Sequence, residues 1–295
     1  MKKRSAPLGA SLVVFSSVFY ASYGIWTKLM GNFFGGYMAS ALRSVLVLLI
    51  LVPITFRLRK FQPLKLKDNW HYILGMIFAS FFIWGPLYYA ILHAGVGLAL
   101  TVAYASIVIG TFFFGRLLAN ERLTKDKWIS ACLGIIGLGF IFLPNTSHVA
   151  WFALGAAALS GVGSALNTVI TKKIPYNATQ TTVVMWVASV IGNAIMAAIL
   201  REAIPKIGLH RQWLYLLVFA IASVIATWTL IKGIKLIEAG AAGVLGLLEI
   251  VFGVGFGMLF FHERPAAIAL VGALLIITAS SIPYIRDYNA QSGTL

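Results

Sequence analysis

Two charges stand inside otherwise apolar runs: Arg43 in Ala41-Leu42-Arg43-Ser44-Val45 and Glu249 in Leu247-Leu248-Glu249-Ile250. A charge at the middle of a membrane helix costs roughly 2.5–3.5 kcal/mol to insert, so it faces protein or water and finds a partner. Arg43 could meet an anionic group of a solute, act in gating, or pair structurally. Low dielectric favours a neutral carboxyl and water allows it to ionise. Glu249 is therefore the expected proton-coupling residue, with a hydrogen-bonded structural acid as the alternative. Asn167 is an amide in mid-helix and needs a partner there. The aromatics Tyr20, Trp84, Tyr88, Tyr104 and Trp228 could shape and orient a small ligand. Trp84 and Tyr88 flank Gly85-Pro86, where proline removes a helical hydrogen bond and frees backbone polar groups. Together Trp84, Tyr88, Tyr104, Asn167, Trp228 and Tyr20 are the expected substrate-binding set.

No pattern for catalysis accompanies them. The histidines His71, His93, His148, His210 and His262 are scattered, and Cys132 is the only cysteine. A disulfide or thiolate metal site is therefore not expected. No glycine-rich phosphate loop and no Ser-His-Asp set appears. The reading is not an enzyme, with no cofactor and no metal.

The elements that must position these residues are membrane helices. Hydrophobic residues make up 60% of the 295, charged residues only 11%, and mean hydropathy is +0.91. A soluble domain carries about 25% charged residues. Apolar runs fit for a crossing of roughly 20 residues recur at 8–28, 37–56, 70–92, 98–118, 127–143, 151–171, 180–200, 212–232, 240–260 and 266–285. The expected fold is an all-α membrane protein with ten transmembrane helices. Ala94 to Gly97 and Ala239 to Gly243 could be hinges rather than loops.

The chain also repeats itself. Val18 to Lys28 aligns with Val162 to Lys172, 144 residues on, and Asn120-Glu121-Arg122 with His262-Glu263-Arg264. Two halves that each cross five times must be inverted relative to each other, the arrangement of many secondary transporters. The expected division is residues 1–148 and 149–295, two five-helix repeats forming one transport domain. With the N-terminus inside, the non-membrane Lys and Arg residues divide 17 inside to 5 outside, which places both termini in the cytoplasm of a multi-pass inner-membrane protein. Net charge +15 then reflects topology and anionic lipid rather than nucleic acid.

On these residues the chain resembles the drug/metabolite transporter superfamily, specifically the ten-helix EamA-type permeases. Tyr20 to Lys28 is similar to the family's first-helix ending, Leu42-Arg43 to its second-helix pair, and Tyr89-Ala90-Ile91 to its third-helix ending. Glu121 and Glu263 match the glutamates after the fourth and ninth helices, and Glu249 the one inside the ninth. The chain departs from the pattern at Ile250, where Pro is usual, at Tyr20, where Trp is common, and at Asn120 and His262, where a small residue is usual. The resemblance implies that helices 1, 3, 4, 6, 8 and 9 surround a central cavity and that helices 5 and 10 are peripheral. Glu121 and Glu263 are expected to cap helix starts, where the macrodipole favours negative charge.

The combined expectation is a secondary transporter of amino acids or related metabolites, working as an exporter by alternating access. Its expected partners are a small-molecule substrate, the lipid bilayer and protons, and the expected state is a monomer. The alternatives are an uncoupled facilitator or phosphorylated-sugar exchanger of the same fold, and then a membrane-embedded enzyme or lipid-binding protein.

Overall fold

The computed structural model describes residues 6–292 except 64–65, 95, 143–150 and 206–207. The expected boundary between halves, at 148, lies outside the described residues. A helix stands at each expected position, and no strand occurs among the described residues. The helices are α1 (Ala6–Ala21), α2 (Tyr23–Met30), α3 (Gly36–Arg57), α4 (Leu66–Ala94), α5 (Val96–Ala119) and α6 (Lys125–Phe142). They continue with α7 (Trp151–Lys173), α8 (Ala178–Ile199), α9 (Arg211–Ile234), α10 (Ala239–Gly246), α11 (Leu248–Phe261) and α12 (Ala267–Ser292).

Among the described residues, eight helical segments are long and apolar enough to cross a bilayer. Two of these are composite: α1 with α2 gives Ala6–Met30, and α10 with α11 gives Ala239–Phe261. Ala267–Ile282 in α12 is a shorter apolar stretch, and α6 has 18 residues, about 27 Å at the usual rise. Leu49, Phe56, Phe113, Trp151, Phe152 and Leu259 are all at least 60% exposed. Such an apolar exterior suits hydrocarbon and not water.

Small residues set the helix spacing. On α7, Gly161 lies against the Ala103 carbonyl of α5 and Gly163 against Phe82 and the Ala79 carbonyl of α4. No larger residue could let α7 wedge so deeply between its two neighbours. On the periphery, Gly137 of α6 faces the Gly272 carbonyl of α12, and Gly272 faces the Gly137 carbonyl. The Ser130 hydroxyl donates to the Ala279 carbonyl at 2.5 Å in the same contact. Gly253 behaves differently, because nothing lies within 4 Å of a Cβ placed there.

The α3–α8 contact is polar at its centre and at both ends. Ser44 and Ser189 share a hydroxyl hydrogen bond of 3.0 Å. At one end the Glu202 carboxylate accepts the Met38 and Tyr37 N–H groups at 2.7 and 3.1 Å, satisfying the start of α3. At the other, Asn177 Oδ1 caps α8 through the Gln180 N–H at 2.9 Å, and Gln180 pairs with the Gln62 backbone. Cap groups of this kind satisfy N–H donors that have no partner inside their own helix.

Among the described residues, four non-glycine positions adopt left-handed backbone at helix ends: Arg59 (φ 50°), Asn120 (φ 53°), Arg201 (φ 52°) and His262 (φ 53°). They form two pairs 142 residues apart (201 − 59 and 262 − 120). The same offset separates the hydrogen bonds that follow, Lys60 N–H to Thr55 O and Glu202 N–H to Ala197 O.

Candidate functional site

The site grows from two interrupted helices. The first span breaks at Ser22, where the Ile25 N–H reaches back only three residues, to the Ser22 carbonyl at 3.0 Å. The ninth position breaks at Leu247, with Ile250 N–H to Leu247 O at 3.0 Å and Leu247 N–H to Val244 O at 3.1 Å. Discontinuous membrane helices expose backbone polarity at mid-depth and commonly frame a binding site. Tyr23 follows the first break directly, and Glu249 follows the second by two residues.

Arg43 projects from α3 and is 2% exposed. Its guanidinium carbon lies over the rings of Phe219 (α9), Trp84 (α4), Tyr23 (α2) and Trp186 (α8), at 4.3, 4.8, 5.1 and 5.6 Å from their centroids. Each such contact contributes about 0.5–2 kcal/mol, which offsets part of the cost of burying the cation. It does not satisfy the N–H donors. Arg43 Nε is buried with no hydrogen-bond partner, and none of the ion pairs among the described residues includes Arg43. The aromatic chamber around Arg43 therefore holds a buried cation whose Nε donor has no acceptor.

The cage is itself held in place. Trp186 Nε1 donates to Thr227 Oγ1 at 3.0 Å, and Thr227 in turn donates to the Ser223 carbonyl. Tyr23 meets Phe219 edge-on, with centroids 4.5 Å apart, and Tyr20 packs on Tyr23 at 5.0 Å. On the α11 side, the Tyr104 hydroxyl and the Glu249 carboxyl lie within interacting reach of each other. Tyr20 lies within electrostatic reach of both Arg43 and Glu249. Tyr20, Trp84 and Tyr104 thus join Arg43 and Glu249 in one cluster.

Asn167 lies on α7 with its Oδ1 buried and unpartnered. One turn on, Thr171 is 2% exposed with Oγ1 also unpartnered. Both oxygens are shielded from the exterior, so these side chains point into the protein. Trp228 departs from the expected set: its Nε1 donates to Thr179 Oγ1 at 3.2 Å and its ring underlies Lys232 Nζ at 4.9 Å. Nine residues separate it from Phe219, half a turn out of phase on α9, so it is fixed to α8 away from the Arg43 cage. The side chain of Tyr88 lies outside the described residues. Trp186 and Phe219 were not singled out from sequence. Trp186 offered a signal: it stands well inside the Ala178–Ile199 span rather than at its edge, where belt tryptophans sit.

A separate open groove of about 600 Å³ runs between α1, the α10–α11 break and α12. It is lined by Val14, Phe15, Leu245, Leu248 and Ile277 with serines at 11, 280 and 281. It contains no charged residue and lies apart from the aromatic cage.

Glu121 and Glu263 depart from their expected position. Neither starts the helix that follows it; each comes directly after the left-handed residue that ends the preceding one. Glu121 is 7% exposed and does accept a helix start, but that of α10, through Ala239 N–H at 2.7 Å and Gly240 N–H at 3.3 Å. It also pairs with Lys172 at 2.5 Å. The same end carries the Lys127–Glu238 ion pair and Lys235, whose Nζ donates to the Ile174 carbonyl at 2.9 Å. Burial lowers the Lys235 ammonium from its ordinary value to about 8.

Comparison with known proteins points the same way as this geometry. The model of the EamA-like transporter family matches residues 7–143 and again 151–283. The chain is 21% identical to an S-adenosylmethionine uptake transporter of Rickettsia felis, covering 96% of this chain and 95% of that one. It is 22% identical to solute carrier family 35 member G1 of Mus musculus, over 97% and 81%. A solved crystal structure superposes with TM-score 0.80 at 18% identity, over 95% of this chain and 98% of its own, which shows a shared fold. With both long segments matched, the chain belongs to the EamA-like transporter family, proteins of membrane solute transport.

Proposed function

We propose that the protein is a secondary transporter of small metabolites bearing an α-amino acid carboxylate, with Arg43 as its carboxylate-binding residue. The observation that carries this reading is the buried Arg43 Nε without an acceptor inside a cage of four aromatic rings. Arginine presents N–H donors in a planar fork that matches a carboxylate. Trp84, Tyr20 and Tyr104 supply surface for the rest of the solute, and Glu249 with Asn167 supplies acceptors for an ammonium or amide donor. The Rickettsia relative's named substrate, S-adenosylmethionine, is itself an amino acid derivative, so it belongs in the class to be tested.

A phosphorylated-sugar exchanger fits less well, since a phosphate dianion calls for several cations and Arg43 alone faces this chamber. Export is the direction the family resemblance favours. Uptake is the second reading, because two Rickettsia relatives are named for it. Counterflow in proteoliposomes preloaded with methionine, S-adenosylmethionine or a sugar phosphate separates these readings. The amino acid class should exchange and the sugar phosphate should not; exchange of the sugar phosphate alone would reverse the assignment.

The 142-residue spacing of the four left-handed helix ends supports two five-helix repeats of opposite orientation, working as one monomeric carrier of ten helices by alternating access. The distribution of Lys and Arg supports cytoplasmic termini. In that orientation, cysteine at Pro63 is labelled by impermeant maleimide only in inside-out vesicles, and cysteine at Gly208 only in intact cells. The reverse pattern would invert the topology.

A further inference from the structure

The two glutamates after α5 and α11 share one local geometry. Glu121 N–H donates to the Gly115 carbonyl at 3.0 Å, and Glu263 N–H to the Gly257 carbonyl at 3.1 Å. In both cases a left-handed residue, Asn120 or His262, turns the chain. Each carboxylate then folds back over the same glycine, so that a Cβ at Gly115 would meet Glu121 Oε2 at 2.9 Å and one at Gly257 would meet Glu263 Oε2 at 2.5 Å. Each carboxylate also holds a lysine of the other half, Glu121 to Lys172 and Glu263 to Lys28. These lysines are the ones the internal sequence repeat places in correspondence, 144 residues apart.

The two ends differ in what else the carboxylate grips. Glu121 takes two backbone N–H groups at the start of α10 and is 7% exposed. There α10 lies hard against α5, with Gly240 on Phe112 and Gly243 on Thr111. The Glu263–Lys28 pair, at 2.8 Å, is an open one, its side chains 57% and 54% exposed. Approaching it along α11, Gly253 and Gly255 have nothing within 4 Å of a Cβ. Glu121 meets the first residue of the Ala239–Phe261 span and Glu263 lies just past its last. The two are therefore about 35 Å apart at the usual rise, on opposite sides of the Arg43 chamber.

We propose that Glu121 and Glu263 are reciprocal latches for the two ends of the transport path, each closed when a helix start of the opposite half docks on it, and that in this structure Glu121 holds the start of α10 while Glu263 holds only Lys28. The glycine-backed cap fixes each carboxylate in advance. Closing an end brings the start of a helix from the opposite half onto it: α10 onto Glu121, and α5 onto Glu263. The carboxylate on a helix N-terminus stabilises the closed end, whereas the lysine pair is present at both ends, so each latch weakens the state in which its own end is open. This proposal rests on the transport reading, but its test needs no substrate and can fail alone.

The test is cysteine accessibility in a Cys132→Ser background, with one reporter in each half of the path. Gly253→Cys has open space around it, and Ser164→Cys lies on the inward face of α7, two turns from Lys172. Impermeant maleimide is applied to each face of oriented vesicles. With native latches, Gly253→Cys should label rapidly from the Glu263 side and Ser164→Cys slowly from the Glu121 side. Glu121→Gln should raise Ser164→Cys labelling several-fold and lower that of Gly253→Cys. Glu263→Gln should do the opposite, taking Ser164→Cys below its native rate. If Glu121→Gln fails to accumulate, Glu121→Asp keeps the charge but draws the carboxylate back from the α10 start, and should shift labelling in the same direction. Shifts of the same sign in both glutamate variants, or none in either, would overturn the latch and leave the Arg43 site standing.

Discussion

Arg43→Met should abolish solute binding while leaving the unliganded protein as stable as the wild type, or more so. Methionine fills most of the same volume and keeps contact with the four rings, but carries neither charge nor donor. Removing one partner of a buried charge-assisted pair costs about 3 kcal/mol, on the order of 100-fold in affinity. The unliganded protein loses nothing comparable, because Arg43 Nε has no partner there and a buried charge without a counter-ion is a burden on the fold. Ligand-induced thermal stabilisation separates the two effects, since binding raises apparent stability by mass action. The wild type should show a concentration-dependent rise and Arg43→Met none. Arg43→Lys keeps the charge without the planar fork and should fall between them. A large drop in unliganded stability for Arg43→Met, with binding retained, would make Arg43 a structural residue.

Glu249→Gln should uncouple solute movement from the pH gradient. Glu249 follows the α10–α11 break at mid-span, partly buried and within reach of the Tyr104 hydroxyl. A carboxyl there meets a low-dielectric surround when the path is closed over it and water when the path opens. A proton bound differently in the two states biases the equilibrium between them, and only that difference can couple it to transport. Glutamine preserves size and can still bond to Tyr104, but has no proton to release. Accumulation driven by an imposed pH gradient should fall to background, while solute binding and gradient-independent exchange persist. Undiminished accumulation would leave Glu249 as a link between α5 and α11.

The sequence made the helices and the chamber's charges legible for one physical reason: hydrocarbon tolerates few polar groups, so each one in a span is conspicuous. Arg43, Glu249 and Asn167 could be singled out on that ground. Tyr20, Trp84 and Tyr104 followed from their expected helices. What sequence could not provide was the direction in which each side chain points. Trp228 looked equivalent to Trp84 but is half a turn out of phase with Phe219, and it is spent on Thr179 and Lys232. Trp186 was not singled out although it stands well inside its span, and it faces Arg43. Glu121 read as a cap for the helix that follows it, yet its partner helix begins at Ala239, 118 residues away. A contact across that separation leaves no trace in local spacing.

The repeat shows the same division. Lys28 and Lys172 could be aligned by eye, as could Glu121 and Glu263. That each lysine meets the glutamate of the other half is a property of packing. Arg43 has no counterpart in this correspondence: by the 142-residue offset of Arg59 and Arg201 on the same helix pair, the residue matching Arg43 is Met185, which carries no charge. The chamber is therefore asymmetric in charge even though its supports are duplicated, as a site for a ligand with one anionic end requires.

The most direct measurement is binding of methionine and of its methyl ester to purified wild-type protein and to Arg43→Met, by calorimetry in the same detergent. The two ligands differ in whether a carboxylate is present, and the two proteins in whether a fixed cation awaits it. S-Adenosylmethionine and its methyl ester, compared in the same way, extend the test to the larger member of the class. The account predicts that each acid binds the wild type, that its ester binds on the order of 100-fold more weakly, and that Arg43→Met no longer distinguishes acid from ester. Equal binding of acid and ester by the wild type, or discrimination preserved in Arg43→Met, would contradict it.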